Sequence, residues 1–322
     1  MCNRHYNLAS FCFLLTTIRE SKQMKHKILS SVVVPTLLIL TGTFSYLTIQ
    51  NNWNFEIVSY SIFLFTLIYI LILERIIPLR QDWKPNKKSL WTDIKHLIFS
   101  TAIFDTLGKV FALSLVVYIQ KHFFTTFTFW NSLPFFATYF IANLIGEFLP
   151  YLYHRISHKG YTNSYISLLL WKIHSIHHLP KSLNWFKTNW IHPINIFLNT
   201  FLKITPILLL GFNQEIIFLV GITHVVVAYM SHANIQTKTG FLDYLVVTPK
   251  IHHFHHSEKM EEAKNFGNIS PIWDLLFGTY YNRKGTVEKI GVIEHSQTNY
   301  PEDKEYFKQL LFPLTTSKEC CK

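Results

Sequence analysis

The stretch ILSSVVVPTLLILTGTFSYLTI, residues 28–49, contains 22 residues and no charged side chain. A helix needs about 20 apolar residues to cross the hydrocarbon core of a bilayer, so this stretch predicts a transmembrane helix. A second charge-free run, 57–73, follows after the polar residues 51–54, and the two runs predict a helical hairpin. Strand-like alternation is not sustained anywhere, so the predicted fold class is all-α, an integral membrane helical bundle.

Apolar segments continue further along the chain. The runs 97–120 and 123–146 predict two more spans, although the first contains Asp105 and Lys109. The apolar segment 193–230 predicts a helical hairpin that dips into the bilayer from one side. From residue 238 onward the chain is polar with short apolar stretches, which predicts a soluble cap over the bundle.

The composition agrees with a membrane protein and argues against a nucleic-acid partner. Charged residues make up 15% of the chain, whereas soluble domains carry about 25%. The net charge of +11 can indicate nucleic-acid binding, but the basic residues lie between apolar runs, and no Gly-rich phosphate loop or Arg-rich arm is present. Lys and Arg concentrate in cytoplasmic loops. The basic N-terminus and the basic 75–95 loop therefore predict that both face the cytoplasm, together with everything after residue 150.

The chain ends carry the four cysteines. Cys2, Cys12, Cys320 and Cys321 lack the spacing of a zinc site, and we expect free thiols rather than a disulfide framework. The apolar run that begins at residue 28 is too long for the core of a signal peptide, and Met24 is an alternative start.

Three clusters of histidines stand out among the 17 in the chain: HRISH (154–158, box 1), HSIHH (174–178, box 2) and HHFHH (252–256, box 3). Residues at i, i+3 and i+4 share one face of a helix, so each box can aim two or three imidazoles at one point. Eight imidazoles exceed the four ligands of a structural zinc, which predicts two metal ions. Imidazole suits iron, zinc, copper and nickel, so the ligand type alone leaves the metal open.

The remaining histidines have ordinary structural interpretations. A hydrogen-bonded core role is expected for five of them: His5, His26, His96, His122 and His295. We expect His253 to be the spacer of box 3 and to face solvent.

The three boxes resemble those of the fatty acid hydroxylase and sterol desaturase superfamily, the membrane histidine-box di-iron oxygenases. Further words occur in the order that this family has: Asn184-Trp185, His192-Pro193, Ser231-His232-Ala233-Asn234, Leu242-Asp243-Tyr244 with Thr248-Pro249, Asn265-Phe266-Gly267 and WDLLFGT at 273–279. The resemblance extends over residues 137–283. It implies a catalytic domain at 137–283, after an N-terminal cytoplasmic segment at 1–27 and a transmembrane region at 28–136, and before a tail at 284–322.

The resemblance implies a non-haem di-iron site that activates O2 to hydroxylate or desaturate a membrane lipid. The ligands that it implies are His154, His158, His174, His177, His178, His232, His252, His255 and His256. His192 and His224 remain open as further ligands, and His192 has the alternative role of fixing the turn before Pro193. The chain has no haem-binding module and no G-x-G-x-x-G motif, so a separate electron donor, cytochrome b5-like or a ferredoxin, is expected. The membrane would be the cell inner membrane in a bacterium or the endoplasmic reticulum in a eukaryote.

Residues around the boxes also have predicted roles. Ligand imidazoles usually donate their second N–H to an acceptor, and the predicted acceptors are Asn184, Asn234, Asp243 and Asp274, with a helix or turn cap as the alternative for Asp274. The residues Trp185, Trp190 and Trp273 either line a lipid slot or anchor at the membrane interface.

Rival functions remain open within and beyond the family. A desaturase and an ether-lipid monooxygenase share the same boxes. A membrane metal transporter or metal-binding protein is the alternative from another class, although it would place its ligands within the spans rather than after them. A metalloprotease is disfavoured because no H-E-x-x-H motif is present.

Overall fold

The computed structural model describes residues 8–84, 87–123, 129–160, 164–292 and 300–315. Over this part of the chain the protein is helical, with isolated β-bridges but no strand, so the predicted all-α class is confirmed. The helices are α1 (Leu8–Gln50), α2 (Phe55–Ile76), α3 (Lys87–Lys95), α4 (Ile103–His122), α5 (Phe135–Ser157), α6 (Tyr165–His178), α7 (Pro193–Leu209), α8 (Gln214–Ser231), α9 (Pro249–His255), α10 (Ile272–Leu276) and α11 (Tyr306–Leu311).

Five helical segments in the described residues are long and apolar enough to cross a membrane. They are Met24–Gln50, Phe55–Ile76, Ser89–His122, Phe135–Ser157 and Gln214–Ser231. The third joins α3 and α4 through a π-helical segment, His96–Ala102. The protein is therefore a multi-pass membrane protein.

The predicted hairpin of the first two spans is confirmed. Its turn contains Asn52 at a φ of +52°, a left-handed conformation that asparagine tolerates better than most residues. Asn54 then begins α2, because its side chain accepts a hydrogen bond from the backbone N–H of Ile57 at 2.9 Å.

The span predicted at 123–146 was placed wrongly. The helix α5 begins at Phe135, directly after Pro134, and it runs on through Glu147, where a charge-free window has to stop. Glu147 is buried, and its carboxylate accepts the backbone N–H groups of residues 268–270, among them Asn268 at 2.6 Å. A carboxylate that is satisfied in this way is tolerated inside a bundle.

The two helices of the hairpin predicted at 193–230 are confirmed, while its dip into the bilayer from one side stays a prediction. Pro193 begins α7, and Gly211 in the following turn has a φ of +72°. Asn213 begins α8 by accepting the N–H of Ile216 at 3.0 Å. The helix α8 is long enough to cross the membrane, while α7 is a shorter apolar helix of 17 residues.

The helix α7 packs between α4 and α5 at two close approaches. A Cβ added at Gly108 of α4 would lie 3.0 Å from the carbonyl oxygen of Phe197. A Cβ added at Gly146 of α5 would lie 2.6 Å from Ile207 Cδ1. Glycine at both positions lets the helices approach closely, as small residues do in membrane bundles.

Several chain segments meet at one end of the bundle. The backbone N–H of Lys238 donates to Ser30 O at 2.8 Å, and that of Gln236 donates to Ile77 O at 2.9 Å. The start of the first span, the end of the second and the segment after α8 therefore lie together. Which side of the membrane this end faces stays a prediction, and so does the division into four segments.

Other sequence-based expectations fall outside the description. Cys2, Cys320, Cys321, His5 and His295 lie outside the described residues, and so does the side chain of Cys12.

Candidate metal centre

Boxes 1 and 2 lie at the carboxyl ends of two helices. His154 is in the last turn of α5, and His158 directly follows that helix. Box 2 forms the last turn of α6, which begins where Ser164 accepts the N–H of Ser167. The contact between α5 and α6 brings the two boxes together, with the rings of His154 and His174 4.5 Å apart.

Box 3 lies on α9, a helix of seven residues that begins at Pro249. His252 and His255 belong to this helix, and His256 follows it. The ninth predicted ligand, His232, directly follows α8. Its ring lies 4.2 Å from that of His252, so the end of a membrane span reaches box 3.

The nine predicted ligands come together in two groups. Within each group, one ring nitrogen from every residue lies within 4.8 Å of the others. The first group has five members, His154, His158, His174, His178 and His255, and the second has four, His177, His232, His252 and His256. Eight of the nine are buried and His158 is half-buried.

Boxes 2 and 3 each contribute to both groups. His174 and His178 belong to the five-histidine group, whereas His177 belongs to the other. Each box thus directs two imidazoles at one group, as expected, while the third histidine of boxes 2 and 3 belongs to the other group. Successive side chains on a helix are rotated by about 100° around its axis, so the side chain of His177 points to a different side from those of His174 and His178.

The hydrogen bonds in the four-histidine group fix where the ring protons lie. His177 Nδ1 lies 2.9 Å from Trp190 O, and His232 Nδ1 lies 2.9 Å from Ala228 O. A carbonyl oxygen only accepts, so both Nδ1 atoms carry the proton, and each neutral ring presents a lone pair at Nε2. These two Nε2 atoms are 3.0 Å apart. Two facing lone pairs cannot hydrogen-bond to each other, but both can bind a cation.

The five-histidine group has the same arrangement. His154 Nδ1 donates to Phe266 O at 2.7 Å, and His174 Nδ1 donates to Asn195 Oδ1 at 3.0 Å. The Nε2 atoms of these two rings then face each other at 3.0 Å. The Nε2 atoms of His158 and His255 are buried and have no hydrogen-bond partner among the described residues. Orphaned imidazole nitrogens that converge in this way fit a metal.

The histidines are held in the neutral form that binds metal. Burial lowers the pKa of His177 to about 4. Burial, with smaller contributions from neighbouring imidazoles, lowers the pKa of His178 and of His256 well below the usual 6.5. Metal ligands must be deprotonated at the binding nitrogen, and this condition is met at neutral pH.

The acceptors behind the ligands are not those predicted. The ligand Nδ1 atoms donate mainly to backbone carbonyls, of Trp190, Ala228, Phe266 and, for His255, Lys264. Asn195 is a side-chain acceptor for His174, and its Oδ1 also accepts the hydroxyl of Tyr153 at 2.9 Å. Ser231 Oγ lies 3.3 Å from His232 Nδ1, a longer contact than the one to Ala228 O. Sequence reasoning missed Asn195, and its sole signal was a polar residue in the apolar segment at 193–230.

The four residues predicted as acceptors have other partners in the described structure. Asn184 accepts the N–H of Phe186, Asn234 bonds to the backbone of Arg80, and Asp243 accepts from Thr248. Asp274 has its alternative role as a turn cap. Its carboxylate accepts the N–H groups of Phe266 and Gly267, each at 2.8 Å, and so fixes the segment whose carbonyl holds His154.

The other histidines lie outside both groups. The ring of His192 accepts the N–H of Ile194 at the start of α7 and also contacts Leu310 O at 3.1 Å, so the turn-fixing alternative is confirmed. The core role of His96 is confirmed by contacts with Ile191 O and Gln309 Oε1. The same expectation is wrong for His122, which is exposed at the end of α4. The expectation that His253 faces solvent is wrong, because it is only 2% exposed and packs against Trp83.

A cavity of about 260 Å³ lies against both groups. The rings of His154 and His174 from one group and of His177, His232 and His252 from the other reach its wall. The opposite walls come from four helices: Phe63 of α2, Asp105 of α4, Asn199 of α7 and His224 of α8. His224 therefore faces this cavity but belongs to neither group.

The three tryptophans predicted for a lipid slot do not form the described wall of this cavity. Trp190 is fully buried and stacks on His96 at 4.8 Å. Trp185 stacks on Phe186, and Trp273 donates to Leu144 O at 3.2 Å.

Comparisons with known proteins agree with this geometry. The family model for "Fatty acid hydroxylase" matches residues 139–279, which include all three boxes. The chain is 26% identical to the ornithine lipid hydroxylase OlsE of Rhizobium tropici, over 82% of this chain and 79% of that protein. It is also 26% identical to an alkylglycerol monooxygenase of Danio rerio, over 52% of this chain but only 35% of that protein. No solved structure matches the chain significantly.

The matched region thus coincides with the helices that carry the nine histidines, and the relatives that it identifies are named as enzymes that hydroxylate or oxygenate lipids. The family match over residues 139–279 and the similarity to OlsE support a place for the chain in the fatty acid hydroxylase and sterol desaturase superfamily, a family of lipid-modifying hydroxylases.

Proposed function

We propose that the protein is a membrane-bound di-iron oxygenase that hydroxylates a membrane lipid, with the nine histidines of the two groups as iron ligands. The observation that carries this proposal is the pair of groups whose unprotonated Nε2 atoms converge beside one cavity. Iron is preferred over zinc because zinc has no redox chemistry and hydroxylation is an oxidation. Two irons, when bound, supply the redox chemistry that activates O2 and inserts one oxygen atom into a C–H bond.

The protein's own residues hold and orient the ligands. The carbonyls of Trp190 and Ala228 fix the tautomers of His177 and His232, so their Nε2 atoms are free to bind metal. The second group offers four imidazoles against five in the first, and three of its rings line the cavity. With fewer imidazoles and three rings at the cavity, the second group would be the one that holds its metal next to the substrate.

The cavity supplies the place for the reacting part of the lipid. Its far walls come from α2, α4, α7 and α8, and three of these helices are long enough to cross the bilayer. A lipid reaches the site from the leaflet without passing through bulk water. Burial of the histidines also keeps water away from the reacting centre.

The substrate is proposed to be a polar membrane lipid, since the two relatives are named for an ornithine lipid and for alkylglycerols. Oxygenation of an ether lipid and desaturation of an acyl chain are the rival outcomes within the same chemistry. Electrons are proposed to come from a separate donor, a cytochrome b5-like protein or a ferredoxin, on the cytoplasmic side of the inner membrane or of the endoplasmic reticulum.

Metal analysis of variants tests the site. The detergent-purified protein, made with iron supplied, should contain about two irons per chain. His177→Ala and His232→Ala should lose most of the metal of the second group. His253→Asn is the matched control from box 3, because its ring lies outside both groups, and it should keep both irons. Zinc in place of iron, or full metal in His177→Ala, would refute the proposed centre.

Product analysis tests the reaction. The iron-loaded protein is supplied with extracted membrane lipids, O2 and a chemical or protein reductant, and the lipids are examined by mass spectrometry. We expect a product that has gained one oxygen atom and that is missing with His177→Ala. A product that has lost two hydrogens would instead identify a desaturase.

A further inference from the structure

A second cavity, of about 420 Å³, lies outside the metal centre. Its walls include Leu79 and Ile235, the segment 237–240, the segment 284–287, and the side chains of Lys250 and His253. Its volume falls within the range of small-ligand pockets, about 300–1,000 Å³. Nothing in the proposed oxygenase reaction uses it.

The described wall of this cavity is basic. Lys238, Lys250 and Lys284 line it, and no acidic residue does. Asp243 partly offsets one of these charges, because its carboxylate lies 3.7 Å from Lys250 Nζ. Lys238 and Lys284 are exposed, and neither forms an ion pair within the described residues. Two lysine charges therefore remain uncompensated, which favours an anionic occupant.

The buried part of the wall offers a hydrogen-bond acceptor without a partner. His253 is 2% exposed, and its Nε2 has no hydrogen-bond partner among the described residues. The ring donates its proton to the backbone carbonyl of Ala233, which can only accept, so Nε2 carries a lone pair. A buried polar atom that is left unpaired destabilises the fold. An occupant that carries a hydroxyl beside its negative charge would satisfy it.

The cavity lies next to the ends of two helical segments that are long enough to cross a membrane. The backbone N–H of Lys238 donates to Ser30 O, within the first turns of the span Met24–Gln50. Ile235, another wall residue, forms a β-bridge with Pro78, shortly after the span Phe55–Ile76 ends, and Leu79 follows Pro78 in the wall. This is the level at which lipid head groups lie. Basic pockets at this level bind anionic lipid head groups in other membrane proteins.

We propose that this cavity is a phosphate site, in which Lys238, Lys250 and Lys284 bind a phosphate group and His253 Nε2 accepts a neighbouring hydroxyl. A phosphatidylglycerol head group at the membrane surface and soluble hydrogen phosphate share this chemistry. The site is separate from the one where the lipid is oxidised, and it does not depend on the proposed reaction.

A binding experiment on the full chain tests this site. The protein is purified in a non-ionic detergent, and its thermal unfolding is followed while phosphatidylglycerol, phosphatidylcholine or inorganic phosphate is added at constant ionic strength. The test variant is Lys238→Gln/Lys284→Gln. The matched control is Lys304→Gln/Lys308→Gln, which removes the same charge from lysines of the 302–308 region that lie outside this cavity.

We expect phosphatidylglycerol to stabilise the native protein and phosphatidylcholine to do so much less. The test variant should bind phosphatidylglycerol about 30-fold more weakly, which corresponds to about 2 kcal/mol, or about 1 kcal/mol for each lysine. The control should bind like the native protein. If inorganic phosphate saturates the stabilisation and phosphatidylglycerol binds no more tightly than phosphate, the site is supported with soluble phosphate as its ligand.

Two results would overturn the proposal. One is binding of phosphatidylglycerol and phosphate no tighter than that of phosphatidylcholine. The other is equal weakening in the test variant and in the control, which would assign the effect to net charge rather than to this cavity. Neither readout depends on metal or on activity, so failure here is distinguishable from failure of the proposed oxygenase.

Discussion

Replacing Asn195 with leucine should weaken metal binding while the histidines themselves stay in place. Asn195 Oδ1 accepts two hydrogen bonds, from His174 Nδ1 at 3.0 Å and from the Tyr153 hydroxyl at 2.9 Å. Leucine is similar in size but accepts neither. The ring of His174 then loses the bond that fixes its tautomer and its orientation toward the five-histidine group.

The expected loss of metal affinity follows from the loss of the hydrogen bond between His174 and Asn195. Leaving a buried donor unpaired costs about 1–3 kcal/mol. Loss of a partner behind a metal ligand lowers metal affinity by about 10- to 100-fold, which equals about 1.4–2.8 kcal/mol. The two estimates agree, so Asn195→Leu should release metal at a chelator concentration about 10- to 100-fold lower than the native protein does.

Two further variants separate the bond to His174 from general packing. Tyr153→Phe removes the other donor to Asn195 and should leave metal retention unchanged. Asn195→Asp keeps an acceptor at the same place and should hold the metal. Metal content is measured by elemental analysis after titration with a chelator. The reasoning is refuted if Asn195→Leu retains metal as well as the native protein does, or if Tyr153→Phe loses it equally.

Three other outcomes follow from the fold and from the burial of the histidines. Glu147→Leu leaves the backbone N–H groups of 268–270 without their acceptor and should lower the free energy of unfolding by about 3 kcal/mol, measured in detergent. Gly108→Ala places a Cβ 3.0 Å from Phe197 O and should cost about 1–3 kcal/mol through strain between α4 and α7, measured in the same way. The metal-free protein should lose stability as the pH falls from 6.5 toward 4, by about 1.4 kcal/mol per pH unit for each buried histidine such as His177, whose pKa is lowered to about 4. The sign holds because the unfolded chain binds the protons first, and the unfolding temperature measured between pH 7.5 and 5.5 checks it.

Each of these outcomes has its own control. Glu147→Gln keeps one acceptor oxygen and should cost less than Glu147→Leu, and equal losses would contradict the role of the carboxylate. A Cβ at Gly221 of α8 meets nothing within 4 Å, so Gly221→Ala should be neutral or stabilising, and a loss matching that of Gly108→Ala would contradict the packing argument. A flat unfolding temperature down to pH 5.5 would contradict the pH argument.

The boxes could be predicted from the sequence because the i, i+3 and i+4 spacing is a local property of a helix. The division of their histidines between the two groups could not be predicted, because it depends on how the helices face one another. His177 and His178 are neighbours in the chain, yet they belong to different groups. His232 was identified because it belongs to a short sequence motif that resembles one of the family, whereas Asn195 belongs to no such motif.

Span boundaries failed for a related reason. A search for charge-free runs ends a span at every carboxylate. It cannot predict that the backbone N–H groups of residues 268–270 donate to the carboxylate of Glu147 inside the bundle. Pro134 was the local signal for the true start of α5. The hairpin turn at 51–54 was predicted more closely, because asparagines mark it locally.

The use of main-chain oxygens behind four of the nine ligands has an evolutionary consequence. A carbonyl is the same whatever side chain is attached to it, so substitutions at Trp190, Ala228, Lys264 and Phe266 leave the acceptor itself intact as long as the backbone keeps its path. Drift in distant descendants can therefore erase the residue identities around the centre without disturbing it. Position 195 has no such freedom, and it should remain an amide or a carboxylate wherever the histidine of box 2 that it orients is retained.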